Sequence, residues 1–360
     1  MMRREFFVPG RTELAGNHTD HQGGRILASA VDLGLYAAAV PNNGKLVRIQ
    51  SEGFEPIQVD ISQRSVRPHE FGTPQALVRG VVASFADLGL DVGGFDAKIR
   101  STLPIGAGMS SSAAFAVLIA RILSAFFNND AVAPLVLART ALNAENTYFG
   151  KPCGLMGQLA CALGHTVYAD LRTNEIERIS ADFATMGLTL SLTDTGGSHA
   201  GLDTSYARIV DDMVYIANFF DKGILADVDP EEFRKKGWDA SARPVRRAIH
   251  FFDENERVLR MRDALKSGNG QEYMRLMNES GRSSEKLLTN VFTSATGDTK
   301  LEEGLELSCK LLEGKGAWRV HGGGFAGCVQ ALMPTDYFEE YKLSMEKVFG
   351  QGKCRKIKLI

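Results

Sequence analysis

The chain has 360 residues, 44% of them hydrophobic and 23% charged, with a formal net charge of −2 from 41 basic and 43 acidic side chains. This balance suits one large or two medium globular domains and argues against nucleic acid or an anionic membrane as partner. No run approaches the ~18 apolar residues of a membrane span, residues 1–11 lack the apolar stretch of a signal peptide, and five cysteines give no disulfide framework, so a cytoplasmic location is expected.

In chain order, residues 5–8 read as a short strand ended by Pro9-Gly10. A polar loop over 11–24 follows, dense in Arg11, Glu13, Asn17, His18, Asp20 and His21. Asp and Asn each bridge neighbouring hydroxyls and His donates or accepts, so the set suits a polyol as well as plain solvation. His18 and His21 stand at a metal-ligand spacing, but no third ligand matches them. Residues 26–40 are apolar and small, consistent with one or two strands. Asn42-Asn43-Gly44 is a hairpin turn signal, and 46–50 and 57–59 continue a β-rich opening. Residues 74–88 have helical spacing and end at Gly89.

An alternating strand over 95–100 leads into Pro104-Ile105-Gly106-Ala107-Gly108-Met109-Ser110-Ser111-Ser112, and an apolar helix then runs to 127. Glycines let backbone N–H groups close on a ligand. A helix start adds free N–H groups and the positive end of the dipole. Gly106, Gly108 and Ser110 to Ser112 therefore read as an anion cradle, most often for phosphate. The plainer reading is a loop with a serine cap. No Gly-Lys-Ser/Thr follows, so this is not a Walker A loop.

Residues 131–148 predict a helix that carries Glu145 near its end. Gly150-Lys151-Pro152-Cys153-Gly154 breaks it, 155–163 form a short helix, and 167–171 with 176–179 form a hairpin. A domain seam is placed near residue 180, dividing the chain into 1–180 and 181–360. Beyond an apolar strand over 188–193 the chain is more helical, with helices over 205–220, 244–267, 270–282 and 300–312. A strand over 318–320, a glycine loop over 322–327, a strand over 328–333, a helix over 336–349 and a strand over 355–360 close it. Helices and strands without regular alternation indicate an α+β fold. Gly322, Gly323 and Gly324 exceed what a hairpin needs and suit close approach to a ligand or another loop.

Taken together, these motifs resemble the GHMP family of small-molecule kinases and, within it, the galactokinase branch. The opening motif stands as Gly10-Arg11-Thr12-Glu13-Leu14-Ala15-Gly16-Asn17-His18-Thr19-Asp20-His21, the phosphate loop lies over 104–114, and Pro152-Cys153-Gly154-Leu155-Met156-Gly157-Gln158 and the loop over 322–327 follow in family order. The resemblance implies a two-domain α+β fold, with an N-terminal domain like that of a small-subunit ribosomal protein and a ferredoxin-like C-terminal domain. It implies a sugar 1-kinase that uses ATP and Mg²⁺ on galactose or a close relative. Arg11 would face the transferred phosphoryl group. Asn17, His18, Asp20, Gly154 and Tyr206 would contact the sugar, and Gly106, Gly108, Ser110, Ser111 and Ser112 the ATP. Ser111 and Glu145 would hold the metal.

Three departures bear on activity. Gly157 stands where the family places its catalytic aspartate, Ala116 where many members have glutamate, and Asn17 where the sugar motif has glutamate. Phosphoryl transfer depends mostly on positioning and electrostatics, and a general base contributes about 10²–10⁴-fold. Three readings stay open at this point: a kinase slowed by Gly157, a non-catalytic ATP- and sugar-binding sensor of the same ancestry, or an ordinary member of the branch in which Gly157 and Ala116 are introduced substitutions.

Overall fold

The computed structural model describes residues 2–42, 44–104, 108–197 and 201–360. Asn43 of the expected hairpin turn and Gly106 of the expected phosphate cradle lie outside them. The first strand, β1 (Arg4–Ala15), corrects the expected polar loop, because it does not stop at Pro9-Gly10. Its pairing with β2 (Arg25–Pro41) shifts register between Pro9 and Arg11, then resumes with Arg11 opposite Ala30. Pro9-Gly10 thus makes a bulge instead of an end. A β-carbon on Gly10 would lie 2.4 Å from Leu103 Cδ2 and 3.0 Å from Met109 O. Only glycine lets the strand pass this close to the loop that begins near Pro104.

β2 is one 17-residue strand rich in alanine, and it forms the spine of a seven-stranded sheet. One end pairs with β5 (Phe95–Ser101) and the other with β6 (Val167–Asp170), which continues to β7 (Glu175–Arg178). β3 (Leu46–Ser51) runs parallel to β5 and pairs with β4 (Ile57–Asp60) at the far edge. The helices α1 (Pro74–Asp87), α2 (Ser111–Phe127), α3 (Pro134–Asn143) and α4 (Met156–Leu163) pack on this sheet and on one another.

Among them α2 is apolar around most of its circumference. Ala114, Ala116, Val117, Leu118, Ile119 and Ala120 are all fully buried, so the helix is a core element instead of an amphipathic one. Burying Leu118 and Ile119 contributes about 1.5–3 kcal/mol each. Ala116 belongs to this core, so a glutamate there would place an unpaired carboxylate among methyl groups. The expected helix over 131–148 is α3 followed by a π turn, Ala144–Phe149, which carries Glu145.

The second sheet is antiparallel, in the order β11 (Cys354–Ile357), β8 (Leu188–Asp194), β10 (Cys328–Pro334) and β9 (Ala317–His321). The remaining helices are α5 (Asp203–Asn218), α6 (Pro230–Lys235), α7 (Arg243–Lys266), α8 (Gly270–Ser283), α9 (Lys300–Leu312) and α10 (Phe338–Phe349).

A buried polar network joins this sheet to β1. Arg319 donates to Glu13 O at 3.0 Å and to Gln330 Oε1 at 2.9 Å, and it lies 3.1 Å from the Glu13 carboxylate. Gln330 donates to Thr12 Oγ1 at 2.9 Å and to Glu13 O at 2.7 Å. Each buried polar group that loses such a partner costs about 1–3 kcal/mol. The network therefore fixes where the end of β9 meets the polar half of β1, and the cavity opens there.

Candidate active site

The cavity, of about 350 Å³, collects the expected residues from several elements. β1 and the turn after it supply Arg11, Glu13, Asn17, His18 and Asp20. The loop before α2 supplies Gly108 and Ser110, the first turn of α2 supplies Ser111 and Ser112, the loop before α4 supplies Gly154, α4 supplies Gly157, and α5 supplies Tyr206. Gly322 and Gly323 close it from the small sheet.

The polar turn is held from behind. His18 adopts a positive φ of 57°, which turns its ring toward the glycine loop, where Nε2 lies 3.0 Å from Gly323 O. A carbonyl only accepts, so Nε2 carries the proton, and Nδ1 accepts from His21 Nε2 at 3.1 Å. Burial lowers the His18 ring to about 4, so it is neutral near pH 7.

Asp20 caps its own turn. It accepts the His21 N–H at 2.9 Å and the Met156 N–H at 3.2 Å. Burial raises its carboxyl above the ordinary range, against the lowering effect of these N–H donors and of Arg11.

Asn17 borders the cavity, but its amide is occupied by the protein. Nδ2 donates to the Glu13 carboxylate at 3.2 Å and to Gly322 O at 2.6 Å. Oδ1 accepts from Ser284 at 3.2 Å and from Asn290 at 3.0 Å. All four of its bonding directions are used, so Asn17 orders the turn and the glycine loop together. Glu254, fully buried on α7, accepts the Gly16 N–H at 3.1 Å from below. Burial alone would raise its carboxyl, but Arg257, His250 and Arg319 outweigh that and hold it at about 2.

Across the cavity, Arg11 Nη1 donates to Gly108 O at 2.7 Å, while its buried Nε has no partner among the described residues. A β-carbon at Gly157 would stand 3.6 Å from that Nε and 3.0 Å from Ser110 Oγ. The unpaired donor therefore faces the place a side chain at 157 would fill.

Ser112, not the expected Ser111, donates to Glu145; Ser111 is exposed at the first turn of α2. Gln158 donates to the other Glu145 oxygen, and Cys153 Sγ lies 3.6 Å from it. Burial and Glu145 push the Cys153 thiol well up, so it is an inert wall of the cavity. A π turn is a frequent device for placing a functional side chain, and here it aims Glu145 at the start of α2. No group of three or more His, Cys, Asp or Glu residues among those described is disposed to hold a metal ion. The Ser112–Glu145 pair supplies hard oxygens of the kind Mg²⁺ takes when phosphates complete its shell.

The glycine loop is packed to contact. A β-carbon on Gly324 would lie 2.1 Å from Asn290 O, and one on Gly323 would lie 2.8 Å from the Tyr206 ring. Tyr206 donates to Gly324 O at 2.8 Å and sets its ring edge against Phe325 at 5.5 Å. It therefore braces the loop as well as lining the cavity.

Lys151, Asp203 and His321 also line the cavity and were not expected from sequence. For His321 a signal existed: it is the last residue of a strand entering a glycine turn, which is where side chains reach a site.

Comparison with known proteins bears on this geometry. Residues 76–165 match the family model of the GHMP kinases N terminal domain, and residues 4–41 match the galactokinase galactose-binding signature. A galactokinase of Bacillus subtilis (strain 168) is 29% identical over 363 residues, covering 94% of this chain and 87% of its own length. Among solved structures, Lactococcus lactis galactokinase complexed with galactose superposes with a TM-score of 0.86 at 22% identity, covering 99% of this chain and 93% of the other. Methanococcus jannaschii mevalonate kinase gives a TM-score of 0.68 at 16% identity, covering 100% and 99%. Both likenesses speak to the fold. No helix among the described residues is long and apolar enough to cross a membrane.

Proposed function

Since the chain belongs to the GHMP kinase family and carries the galactokinase signature, we propose that it is an ATP-dependent sugar 1-kinase acting on galactose or a close relative. The observation that carries this reading is one cavity lined both by His18, Asp20 and Gly154 and by Arg11 and the serines at the start of α2. A pyranose fits against the former group and the terminal phosphates of ATP against the latter. Small-molecule sugar and ATP are then the partners. The residues 1–180 carry the sugar motif and the phosphate loop, and 181–360 carry the glycine loop.

In this reading the anomeric oxygen of the sugar attacks the γ-phosphorus. The new O–P bond forms as the bond to the β-γ bridging oxygen breaks, and ADP leaves. Asp20, held by the Met156 and His21 N–H groups, accepts from sugar hydroxyls. His18 is neutral and has its Nε2 proton committed to Gly323, so it presents its ring edge to the sugar. Asn17, with its amide occupied, positions both. Ser112 and Glu145 would hold Mg²⁺, which when bound neutralises phosphate charge. Arg11 stabilises the transferred phosphoryl group and lowers the pKa of the attacking hydroxyl. With Gly157 in place of a carboxylate, the hydroxyl proton goes to a phosphoryl oxygen or to water beside Arg11 Nε. The reaction proceeds at a rate lower by up to the 10²–10⁴-fold a base contributes.

The bare Gly157 position also favours a second reading, a sensor that binds ATP and sugar without turnover. An ADP-release assay across galactose, other hexoses, galactosamine and N-acetylgalactosamine separates the two. Sugar-dependent ADP release supports the kinase, and tight binding of both ligands without release supports the sensor.

A further inference from the structure

Two buried donors at the cavity have no partner among the described residues: Nε of Arg11 and Nδ1 of His321. His321 is only 3% exposed. Its other ring nitrogen, Nε2, accepts the Glu13 N–H at 3.2 Å and lies 3.1 Å from Thr12 Oγ1. A backbone N–H only donates, so Nε2 is bare and the ring proton sits on Nδ1. Burial, with Arg11 and Arg319 close by, holds the ring well below its ordinary range and therefore neutral.

Nδ1 lies next to Gly108 of the phosphate loop. A β-carbon on Gly108 would come within 3.1 Å of Nδ1, and Arg11 reaches the same glycine with Nη1 on its carbonyl at 2.7 Å. A buried N–H without an acceptor costs about 1–3 kcal/mol, and beside a cavity a bound ligand's acceptor repays it. The same cavity is lined by Ser110, Ser111 and Ser112 at the start of α2.

We propose that His321 is a phosphate-binding residue whose Nδ1–H donates to an oxygen of the terminal phosphates of the nucleotide, beside Arg11 and across from Gly108. This rests on the kinase reading above. The fixed tautomer makes His321 a donor only, so it holds phosphate charge and takes no proton from the sugar.

The two ring nitrogens separate the proposal from a merely structural role. His321→Gln places an acceptor near the position of Nε2, keeping the bond from Glu13, and removes the Nδ1 donor. His321→Asn places a donor near Nδ1 and leaves the Glu13 N–H unmet. The measurements are ATP affinity by calorimetry and thermal midpoint, on the full chain with Mg²⁺. The expected result is an ATP dissociation constant weakened roughly 10- to 100-fold in the Gln variant, the range for a lost bond to a charged group, with the midpoint near that of the parent. The Asn variant is expected to melt earlier and still bind ATP much as the parent does. A Gln variant that binds ATP like the parent overturns the assignment, as does a folded Asn variant that binds no better than Gln. If the parent itself binds no ATP, the kinase reading fails and this assignment with it.

Discussion

The carboxylate of Asp20 lies directly over Gly154: a β-carbon at position 154 would come 2.0 Å from Asp20 Cγ and 2.1 Å from its Oδ2. The turn after β1 and the loop before α4 are thus fitted to each other with no room for a side chain. Gly154→Ala must push Asp20 away from the Met156 N–H it accepts. The expected outcome is a KM for the sugar raised roughly 10-fold or more, the scale of a lost charge-assisted hydrogen bond, with ATP affinity unchanged. Steady-state kinetics with each substrate varied in turn checks it. An unchanged sugar KM would remove Asp20 from the sugar site.

Position 157 offers the reverse experiment, a gain. Gly157 sits in the first turn of α4, where an acidic residue gains about 0.3–1 kcal/mol from the helix dipole and loss of glycine adds about 0.5–1 kcal/mol. Its β-carbon would be 3.6 Å from the unpartnered Arg11 Nε, and at 3.0 Å Ser110 Oγ must give way by a few tenths of an ångström. Gly157→Asp is expected to raise the melting temperature slightly and to raise sugar-dependent ADP release ~10²-fold or more. A variant that gains stability but no turnover shows that proton removal does not limit this protein.

The metal ligand is expected to follow the observed hydrogen bond and not the sequence register. Ser112 bonds Glu145 while Ser111 is exposed. Ser112→Ala should therefore raise the Mg²⁺ concentration needed for half-maximal turnover by roughly 10-fold or more, and Ser111→Ala should do so far less. A magnesium titration of both variants decides it, and equal effects would dissociate the Ser112–Glu145 pair from the metal.

Much of this architecture is legible from residues alone, and the exceptions have physical causes. The strand, serine loop and buried α2 follow from alternation, glycines and a continuous apolar run. The polar segment after Pro9-Gly10 reads as a loop because charge density at Arg11 and Glu13 resembles a solvated surface. It is a buried strand because Arg319 and Gln330, over three hundred residues away, neutralise and saturate it. Local patterns carry no information about such distant partners. The same holds for Asn17, whose residue type suits a sugar but whose amide is taken by Ser284, Asn290, Gly322 and Glu13. That Ser112, and not Ser111, bonds Glu145 turns on helix phase, which a run of three identical residues does not reveal.

Acid sensitivity provides a further test of how the site is buried. Burial lowers the rings of His18, His21, His250 and His321, His18 to about 4. In the unfolded chain such rings take up protons below about pH 6.5. As pH falls from there, the unfolded state binds protons that the folded state refuses, so stability decreases with falling pH, for His18 down to about 4. Each ring contributes a slope of up to roughly 1.4 kcal/mol per pH unit in that window. Glu13 and Asp20, raised by burial, act in the opposite sense, so the test compares the parent with a single variant. His18→Asn tolerates the positive φ at this position and removes one titrating ring. Urea unfolding at pH 6.5, 5.5 and 4.5 should show a shallower loss of stability in the variant, by about one proton's worth of slope. Parallel curves would mean that His18 is protonated in the folded protein, and the tautomer chain from His21 through His18 to Gly323 would be wrong.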